Sequence, residues 1–322
     1  MPDSPVNRIY LGDNLPIMRE CIEDQSVGLI YLDPPFNSRA TYNLTGSAQA
    51  SADRSVAFDD VWGWNPEAER ALESITEDGP HDLARLMAAL KQMLGPGDMM
   101  AYLVMMGVRL REMHRVLKPT GSLYLHCDPT GSHYLKLILD AIFGSQHFQR
   151  EIVWRIGWIS GYKSQARNWI RNHDIILFYS RSAEFTFNKE YLPYPPGYTR
   201  RDGSTPEGRG IPMEDTWNCQ PADSLNSIMI MSFSAEKTGY PTQKPEALLR
   251  RIVAASSNRG DVVMDPFCGS GTTAVVAEEM GRRWIAIDQS ETALTLAKER
   301  LKERYGSALS PHRFVNAGQS PR

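Results

Sequence analysis

Short apolar runs alternate with stretches of helical periodicity along most of this chain. The clearest run is Val27-Gly28-Leu29-Ile30-Tyr31-Leu32, bounded by a Gln-Ser turn before it and by Asp33-Pro34 after it. A strand buried on both faces reads this way, because neither face needs polar residues. Shorter runs predict strands over 8–11, 122–126, 151–155, 175–179, 262–264 and 284–287. Apolar positions three and four apart predict helices over 14–22, 66–76, 81–94, 98–117, 131–143, 245–257, 271–281 and 291–304. Pro245 opens one of these, where a missing N–H costs nothing. Val116 to Gly121 reads as the turn that ends the 98–117 helix. Strands and helices alternating in this manner predict an α/β fold, a doubly wound and mostly parallel sheet.

Three stretches break the alternation. Residues 37–65 are polar and rich in Ser, Ala and Asn, and they predict a long loop. Trp62 and Trp64 close that stretch, with packing as their expected role. Residues 183–236 lose periodicity and are rich in Pro, Gly, Tyr and Arg, as in an inserted lobe. The tail after Ala308 is polar and is expected to be loose. The predicted organisation is therefore a core in two parts, 1–182 and 237–308. The first part carries a loop and helical insert at about 37–105, the lobe 183–236 separates the two, and 309–322 forms the tail.

Composition adds boundaries. A chain of 322 residues, 42% hydrophobic, can bury one large core. No run of 18 apolar residues exists, and MPDSPVNRIY lacks a basic region followed by an apolar one, so a cytoplasmic location is expected. Cys21, Cys127, Cys219 and Cys268 lie far apart, with no C-x-x-C pair and no plausible zinc set, so no metal is expected. The net charge of −3 does not advertise a nucleic-acid partner, but it hides a local excess. Between Arg150 and Gly210 ten basic residues face six acidic ones, a balance of +4. Trp154, Trp158, Tyr162, Trp169, Tyr191, Tyr194 and Tyr198 are interleaved with them. This mixture suits phosphate contact and base stacking.

Two motifs carry candidate chemistry. Asp265 ends a predicted strand, and Phe267-Cys268-Gly269-Ser270-Gly271 then turns the chain into a helix beginning near Thr272. Glycines allow close approach of a ligand, and a helix N-terminus offers unpaired N–H groups. Asp288 ends the next strand, 23 positions beyond Asp265, where an acid can bind ribose hydroxyls. The G-x-G-x-x-G spacing is absent, which counts against a nicotinamide cofactor. The second motif is Asp33-Pro34-Pro35-Phe36. Two prolines stiffen the turn, and Asp33 and the Pro34 carbonyl are two fixed acceptors beside a flat ring. Such a pocket suits a planar group bearing an NH₂.

Together the two motifs resemble the DNA amino-methyltransferases, which methylate adenine N6 or cytosine N4 with S-adenosyl-L-methionine. Gly239-Tyr240-Pro241-Thr242-Gln243-Lys244-Pro245 is similar to the segment that leads into the cofactor helix of that family. Ile9-Tyr10-Leu11-Gly12-Asp13 is similar to its opening strand and adenine-contacting acid. The motif order resembles the permuted class called beta, over about residues 7–182 and 237–305. The resemblance implies a Rossmann-like methyltransferase fold with an inserted target-recognition lobe. It implies catalysis by Asp33, Pro34, Pro35 and Phe36. It implies cofactor binding by Asp13, Thr242, Lys244, Asp265, Phe267, Cys268, Gly269, Ser270, Gly271, Thr272 and Asp288.

An amino group delocalised into a base is a poor nucleophile. Asp33 and the Pro34 carbonyl would accept its N–H bonds and favour an sp³-like nitrogen, and Phe36 would stack on a flipped-out base. Aspartate at the first position favours adenine N6, with cytosine N4 the alternative. Double-stranded DNA is the expected partner, contacted by Arg155, Lys163, Arg167, Arg171, Arg200 and Arg201. The 37–65 loop could close over the flipped base. Dimers occur in this class and one is expected. Any restriction endonuclease would be a separate partner chain. His126 and His173 sit at or near strand ends, where histidine is more often structural, and neither is assigned a role. A nicotinamide-dependent oxidoreductase, a DNA-binding relative without activity, and an RNA substrate are the competing readings.

Overall fold

The computed structural model describes residues 7–36, 40–43, 56–60, 62–156, 167–219, 223, 234 and 236–317. In chain order the strands are β1 (Asn7–Leu11), β2 (Val27–Leu32), β3 (Ala40–Asn43), β4 (Val56–Asp60), β5 (Leu117–Cys127), β6 (Phe148–Arg155), β7 (His173–Ser180), β8 (Tyr191–Leu192), β9 (Ile211–Pro212), β10 (Thr216–Trp217), β11 (Val262–Asp265), β12 (Arg283–Asp288) and β13 (His312–Asn316). The helices are α1 (Asn14–Cys21), α2 (Pro66–Asp78), α3 (His81–Leu94), α4 (Asp98–Val116), α5 (Pro129–Phe143), α6 (Glu246–Ser256), α7 (Thr272–Glu279) and α8 (Glu291–Tyr305).

Among the described residues nine strands form one sheet, in the order β10-β6-β7-β5-β2-β11-β12-β1-β13. Neighbours are parallel throughout, except that β7 runs antiparallel to both β5 and β6. Side chains alternate between two cores, as a period of two requires. In β2, Ile30 and Leu32 join the core under α1, α2, α3, α4 and α5. Leu29 and Tyr31 join the core under α6, α7 and α8. All six residues of β2 are buried. Each such Leu or Ile contributes about 1.5–3 kcal/mol of burial. The predicted doubly wound, mostly parallel α/β sheet is thus the observed one. Among the described residues no helix is long and apolar enough to cross a membrane.

Four expectations need correction. Residues 37–65 are not one structureless loop, because β3 and β4 pair there as an antiparallel hairpin. The runs ATYN and VAFDD are only four and five residues long, and they pair with each other rather than with the main sheet. The tail is not loose throughout. β13 adds to the sheet edge, parallel to β1, and the Asn7 N–H donates to the Pro311 carbonyl at 3.2 Å. Its residues are exposed or half-buried, so the backbone ladder holds it and hydrophobic pattern does not reveal it. The region 183–236 is not wholly outside the core, since β10 joins the main sheet beside β6. The turn expected at Val116–Gly121 is instead a bulge in β5, where pairing jumps from Val27–Leu117 to Leu29–Ser122. Pro119 supplies no N–H for a ladder there. Trp62 and Trp64 pack against the α2–α4 core as expected.

Because β1, β2, β5, β11 and β12 run the same way, their carboxyl ends share one edge of the sheet. Asp13, Asp33, Asp265, Asp288 and the segment His126 to Asp128 come together along it. Ligands of open α/β sheets bind at this edge.

Candidate active site

A cleft of about 960 Å³ opens there, at the upper end of the ~300–1,000 Å³ common for ligand sites. Both motifs line it. From the first come Asp33, Pro34, Pro35 and Phe36, and from the second Asp265, Phe267, Cys268, Gly269, Ser270 and Thr272. Asp13, Thr242, Lys244 and Asp288 also face it. Residues of α2 and α4 close the far wall, among them Ala71, Met105 and Arg109.

The glycine turn is held from below by its acids. The Asp265 carboxylate accepts from the Phe267 N–H at 3.0 Å and from the Thr273 hydroxyl at 2.5 Å. Asp288 accepts from the Gly269 N–H at 2.8 Å and from the Ser290 N–H at 2.9 Å. Gly269 and Gly271 have φ of +48° and +76°, conformations that side chains resist. Gly271 does not face the cleft. A Cβ there would lie 2.6 Å from the Cβ of Ala297, so this glycine serves the packing of the turn against α8. Burial pushes the Asp265 carboxyl up to about 7, against the hydrogen bonds of Thr273 and Phe267 and with the help of Asp33 and Asp288. Burial also raises Asp288, opposed by hydrogen bonds from Ser290, Gly269 and Gln289. The Cys268 thiol is held well above its usual range by burial and by both acids, so it stays protonated and is no nucleophile.

Asp13 is less free than its sequence context implies. Its carboxylate caps α1 through the Leu15 N–H at 3.0 Å and pairs with Arg109 at 2.7 Å. Arg109 also donates to Asn14 at 2.7 Å, and Asn14 donates to the Pro266 carbonyl at 2.7 Å. Arg109 and Asn14 therefore tie the first strand end to the glycine turn, and no motif spacing announced them.

Lys244 is placed by the sequence with the cofactor, and the structure brings it to the other motif. Its ammonium forms an ion pair with Asp33 Oδ2 and lies 5.7 Å from the centre of the Phe36 ring. The Lys244 and Asp33 side chains are 9% and 14% exposed, so the pair is largely withdrawn from water. The other carboxylate oxygen, Asp33 Oδ1, is buried and has no hydrogen-bond partner among the described residues. Gln243 braces the segment before Lys244, accepting from the Thr238 N–H at 2.8 Å and donating to the Glu236 carbonyl at 2.6 Å.

A fully buried histidine stands behind Asp33. His126 Nδ1 is 3.1 Å from the Tyr31 hydroxyl and 3.5 Å from Asp33 Oδ1. Its Nε2 is 3.4 Å from Asp174. The sequence shows His126 at a strand end but gives no hint of Asp174, 48 positions away on an antiparallel neighbour. His173 is half-buried at the start of β7 and does not face the cleft.

The basic residues divide. Arg155, Arg167, Arg200 and Arg201 are exposed. Trp169, between Arg167 and Arg171, is 98% exposed. Arg171 is engaged, in an ion pair with Asp174 and 3.7 Å from Asp128. Tyr194 and Tyr198 stack with centroids 5.4 Å apart, just before Arg200. Lys163, Trp158 and Tyr162 lie outside the described residues.

Comparison with known proteins accounts for this arrangement. A family model for N6/N4 methyltransferases, described as DNA methylase, matches residues 27–299. The type II methyltransferase M.HpaI of Haemophilus parainfluenzae is 32% identical over 241 residues, covering 74% of this chain and 70% of that protein. The DNA adenine methyltransferase YhdJ of Escherichia coli K12 is 29% identical over 192 residues, covering 60% of this chain and 64% of that one. Among solved structures, TTHA0409 of Thermus thermophilus in complex with S-adenosyl-L-methionine superposes with a TM-score of 0.55 at 17% identity, over 98% of this chain and 100% of that chain. The cytosine-N4-specific PvuII DNA methyltransferase gives a TM-score of 0.53 at 13% identity, over 98% and 97% of the two chains. These two likenesses are of fold. The family match spans both motifs of the cleft, from Asp33 to Asp288, and the chain belongs to the N6-adenine and N4-cytosine DNA methyltransferase family.

Proposed function

We propose that this protein transfers a methyl group from S-adenosyl-L-methionine to the N6 amino group of adenine in double-stranded DNA. The observation that carries the reading is the Asp33 carboxylate, which lines the cleft shared with the glycine turn and has one oxygen, Oδ1, buried without a hydrogen-bond donor among the described residues. A buried acceptor left unpaired costs about 1–3 kcal/mol, and an amino N–H removes that cost. The likeness to a relative named as a DNA adenine methyltransferase supports adenine over cytosine.

The residues present fit the donor. Asp13, Asp265 and Asp288 line the cleft, and carboxylates there suit a molecule carrying a sulfonium and an ammonium. Asp288 and the turn from Phe267 to Thr272 would hold it. When bound, it supplies a methyl group already activated by positively charged sulfur. The chain's own residues then have mainly to position the amine and exclude water. Asp33 and the Pro34 carbonyl accept the amine N–H bonds, Phe36 stacks on the base, and Lys244 steadies the Asp33 carboxylate. The base reaches this edge only by leaving the helix stack.

The deciding experiment is transfer of labelled methyl to unmodified genomic DNA, followed by nucleoside analysis. Labelled N6-methyladenine is the expected product. N4-methylcytosine would keep the chemistry and overturn the base. No label in DNA, from protein that binds the cofactor, would overturn the reading.

Two further outcomes follow from the same geometry. Asp265 holds a proton up to about pH 7, and a cation in the cleft favours its ionised form. Cofactor binding is therefore expected to release protons near and below neutrality. Affinity should rise with pH through about 7 and level off above, which calorimetry in two buffers of different ionisation heat would measure. A pH-independent affinity would show that Asp265 is already ionised. Arg200 and Arg201, exposed beside the stacked tyrosines, are proposed phosphate contacts. Replacing both with alanine should weaken DNA binding at every sequence and lower the slope of log K against log salt by roughly 1–2. An unchanged slope would remove them from the interface.

A further inference from the structure

His126 is a buried, titratable side chain next to the reactive carboxylate, and holding cofactor or base does not require it. We infer that His126 is the final acceptor of the proton shed by the target amine, reached through Asp33 and kept in the accepting tautomer by Asp174. The inference rests on the methyl-transfer reading and adds to it a proton path through the protein.

The partners of the ring favour one placement of its hydrogens. Asp174 is 2% exposed. Burial would raise its carboxyl, but the hydrogen bond from His126 and the charges of Arg171 and Lys244 hold it below the usual range. An ionised carboxylate 3.4 Å from Nε2 requires that Nε2 carry a hydrogen. Burial foremost, then the charges of Asp33, Asp265 and Asp174, keeps the Tyr31 hydroxyl well above its usual range, so it stays protonated. At 3.1 Å it donates to Nδ1. In the relay the resting ring is neutral and points an unprotonated Nδ1 at Asp33 Oδ1, 3.5 Å away, with no hydrogen bond between them. Two acceptors face each other across a gap that one proton would close.

The reaction supplies that proton. The amine nitrogen bonds the methyl carbon while the donor's sulfur keeps the electron pair of the broken bond, so the nitrogen becomes positively charged. Its N–H bond then breaks and the proton passes to Asp33 Oδ1. From there it moves to Nδ1, the Tyr31 hydroxyl turning from donor to acceptor. Asp33 is again a carboxylate, and the imidazolium lies between Asp33 and Asp174. An orienting acid behind a histidine base serves hydrolytic triads in the same way. The side chain of Arg171, 47% exposed, pairs with Asp174 from the solvent side.

Charged groups face the ring from two of the elements packed against it. β2 contributes Tyr31 and Asp33, and Lys244 stands behind Asp33. β7 contributes Asp174, with Arg171 behind it. β6 presents the uncharged Trp154 ring, 5.6 Å away. Phe36 lies at 5.7 Å. On the histidine's own strand, burial keeps Cys127 protonated, and beyond it Asp128 caps α5.

The test is single-turnover methyl transfer to unmodified genomic DNA, at saturating labelled S-adenosyl-L-methionine, over about pH 5.5 to 9. Wild type is compared with His126→Gln and Asp174→Asn, and DNA and cofactor affinities are measured alongside. A relay acceptor must be free of a proton, so the wild-type rate should fall toward acid pH. His126→Gln should lose about 10²-fold or more in rate and lose the acid limb, with affinities changed by less than about threefold. Asp174→Asn should slow transfer and move the limb to lower pH, since the imidazolium loses its counter-charge; this variant decides the matter if His126→Gln does not fold. A His126→Gln enzyme with the wild-type rate and limb would overturn the relay and leave the methyl-transfer reading intact. A loss confined to affinity, with an unchanged limb, would make His126 structural and overturn it equally. A wild-type protein that binds cofactor but transfers nothing would overturn the methyl-transfer reading itself.

Discussion

Asp33→Ala is expected to cut single-turnover methyl transfer by about 10³-fold or more while cofactor affinity changes little. One preorganised polar contact at a reacting centre is commonly worth ~10²–10³ in rate, and Asp33 supplies both a contact and a charge there. In the proposed reaction its carboxylate accepts the amine N–H and takes the proton. The cofactor turn, by contrast, is braced by Asp265 and Asp288 and does not hydrogen-bond to Asp33. The loss should therefore fall on kcat rather than on cofactor binding, measured by labelled-methyl transfer beside calorimetry. Retention of most of the activity would sink the proposed chemistry.

The substitution also has a structural consequence that must be kept apart. Removing Asp33 leaves the Lys244 ammonium, 9% exposed, without its counter-charge. Breaking a buried pair from one side costs about 3–5 kcal/mol, less where a cleft admits water. Asp33→Asn combined with Lys244→Met separates the two effects. The double variant should recover most of the melting temperature and none of the activity. If activity returned with stability, Asp33 would be a structural residue.

Much of the fold was legible because β2, β11 and β12 are buried on both faces and read as plain apolar runs. The two motifs were legible because each follows such a run, so strand prediction placed Asp33 and Asp265 at one sheet edge. What stayed hidden depends on contacts between distant residues. Lys244 meets Asp33 across 211 positions, and Asp174 meets His126 across 48. No local spacing encodes either pair. β13 was hidden because a half-exposed edge strand lacks an apolar signature, and the β3–β4 hairpin because its strands are short. Gly271 shows the converse case. It sits in a motif that reads as ligand-binding, yet the close approach it permits is to Ala297.

Glu246→Gln is expected to destabilise the protein by about 3–5 kcal/mol. The Glu246 side chain is 5% exposed and opens α6, facing Arg300 and Arg304 from α8 at 2.6 Å and Arg250 at 2.7 Å. Arg304 and Arg250 are more than a third exposed and also pair with Glu279, so they lose little. Arg300 is the costly one. Its side chain is 10% exposed, and besides Glu246 it donates to the Thr272 hydroxyl at 2.9 Å and the Ser270 carbonyl at 3.5 Å. At roughly 2–4 °C per kcal/mol, the melting temperature should drop by roughly 10 °C. The pH dependence follows from the Glu246 carboxyl. Burial pushes it up, but the hydrogen bonds and charges of Arg304 and Arg300 outweigh that and leave it below its ordinary 4.5. A carboxyl lowered in the folded state stabilises fully above its unfolded value and loses that contribution as pH falls through the folded one. The gap between wild type and variant should thus be full at neutral pH and shrink below about 4.5, which thermal melts across the acid range would follow. An equal gap at every pH would assign the loss to packing and not to charge. Because Arg300 also holds Ser270 and Thr272, the variant should bind cofactor more weakly even well below its melting temperature, which links the charge network of α6 and α8 to the shape of the cleft.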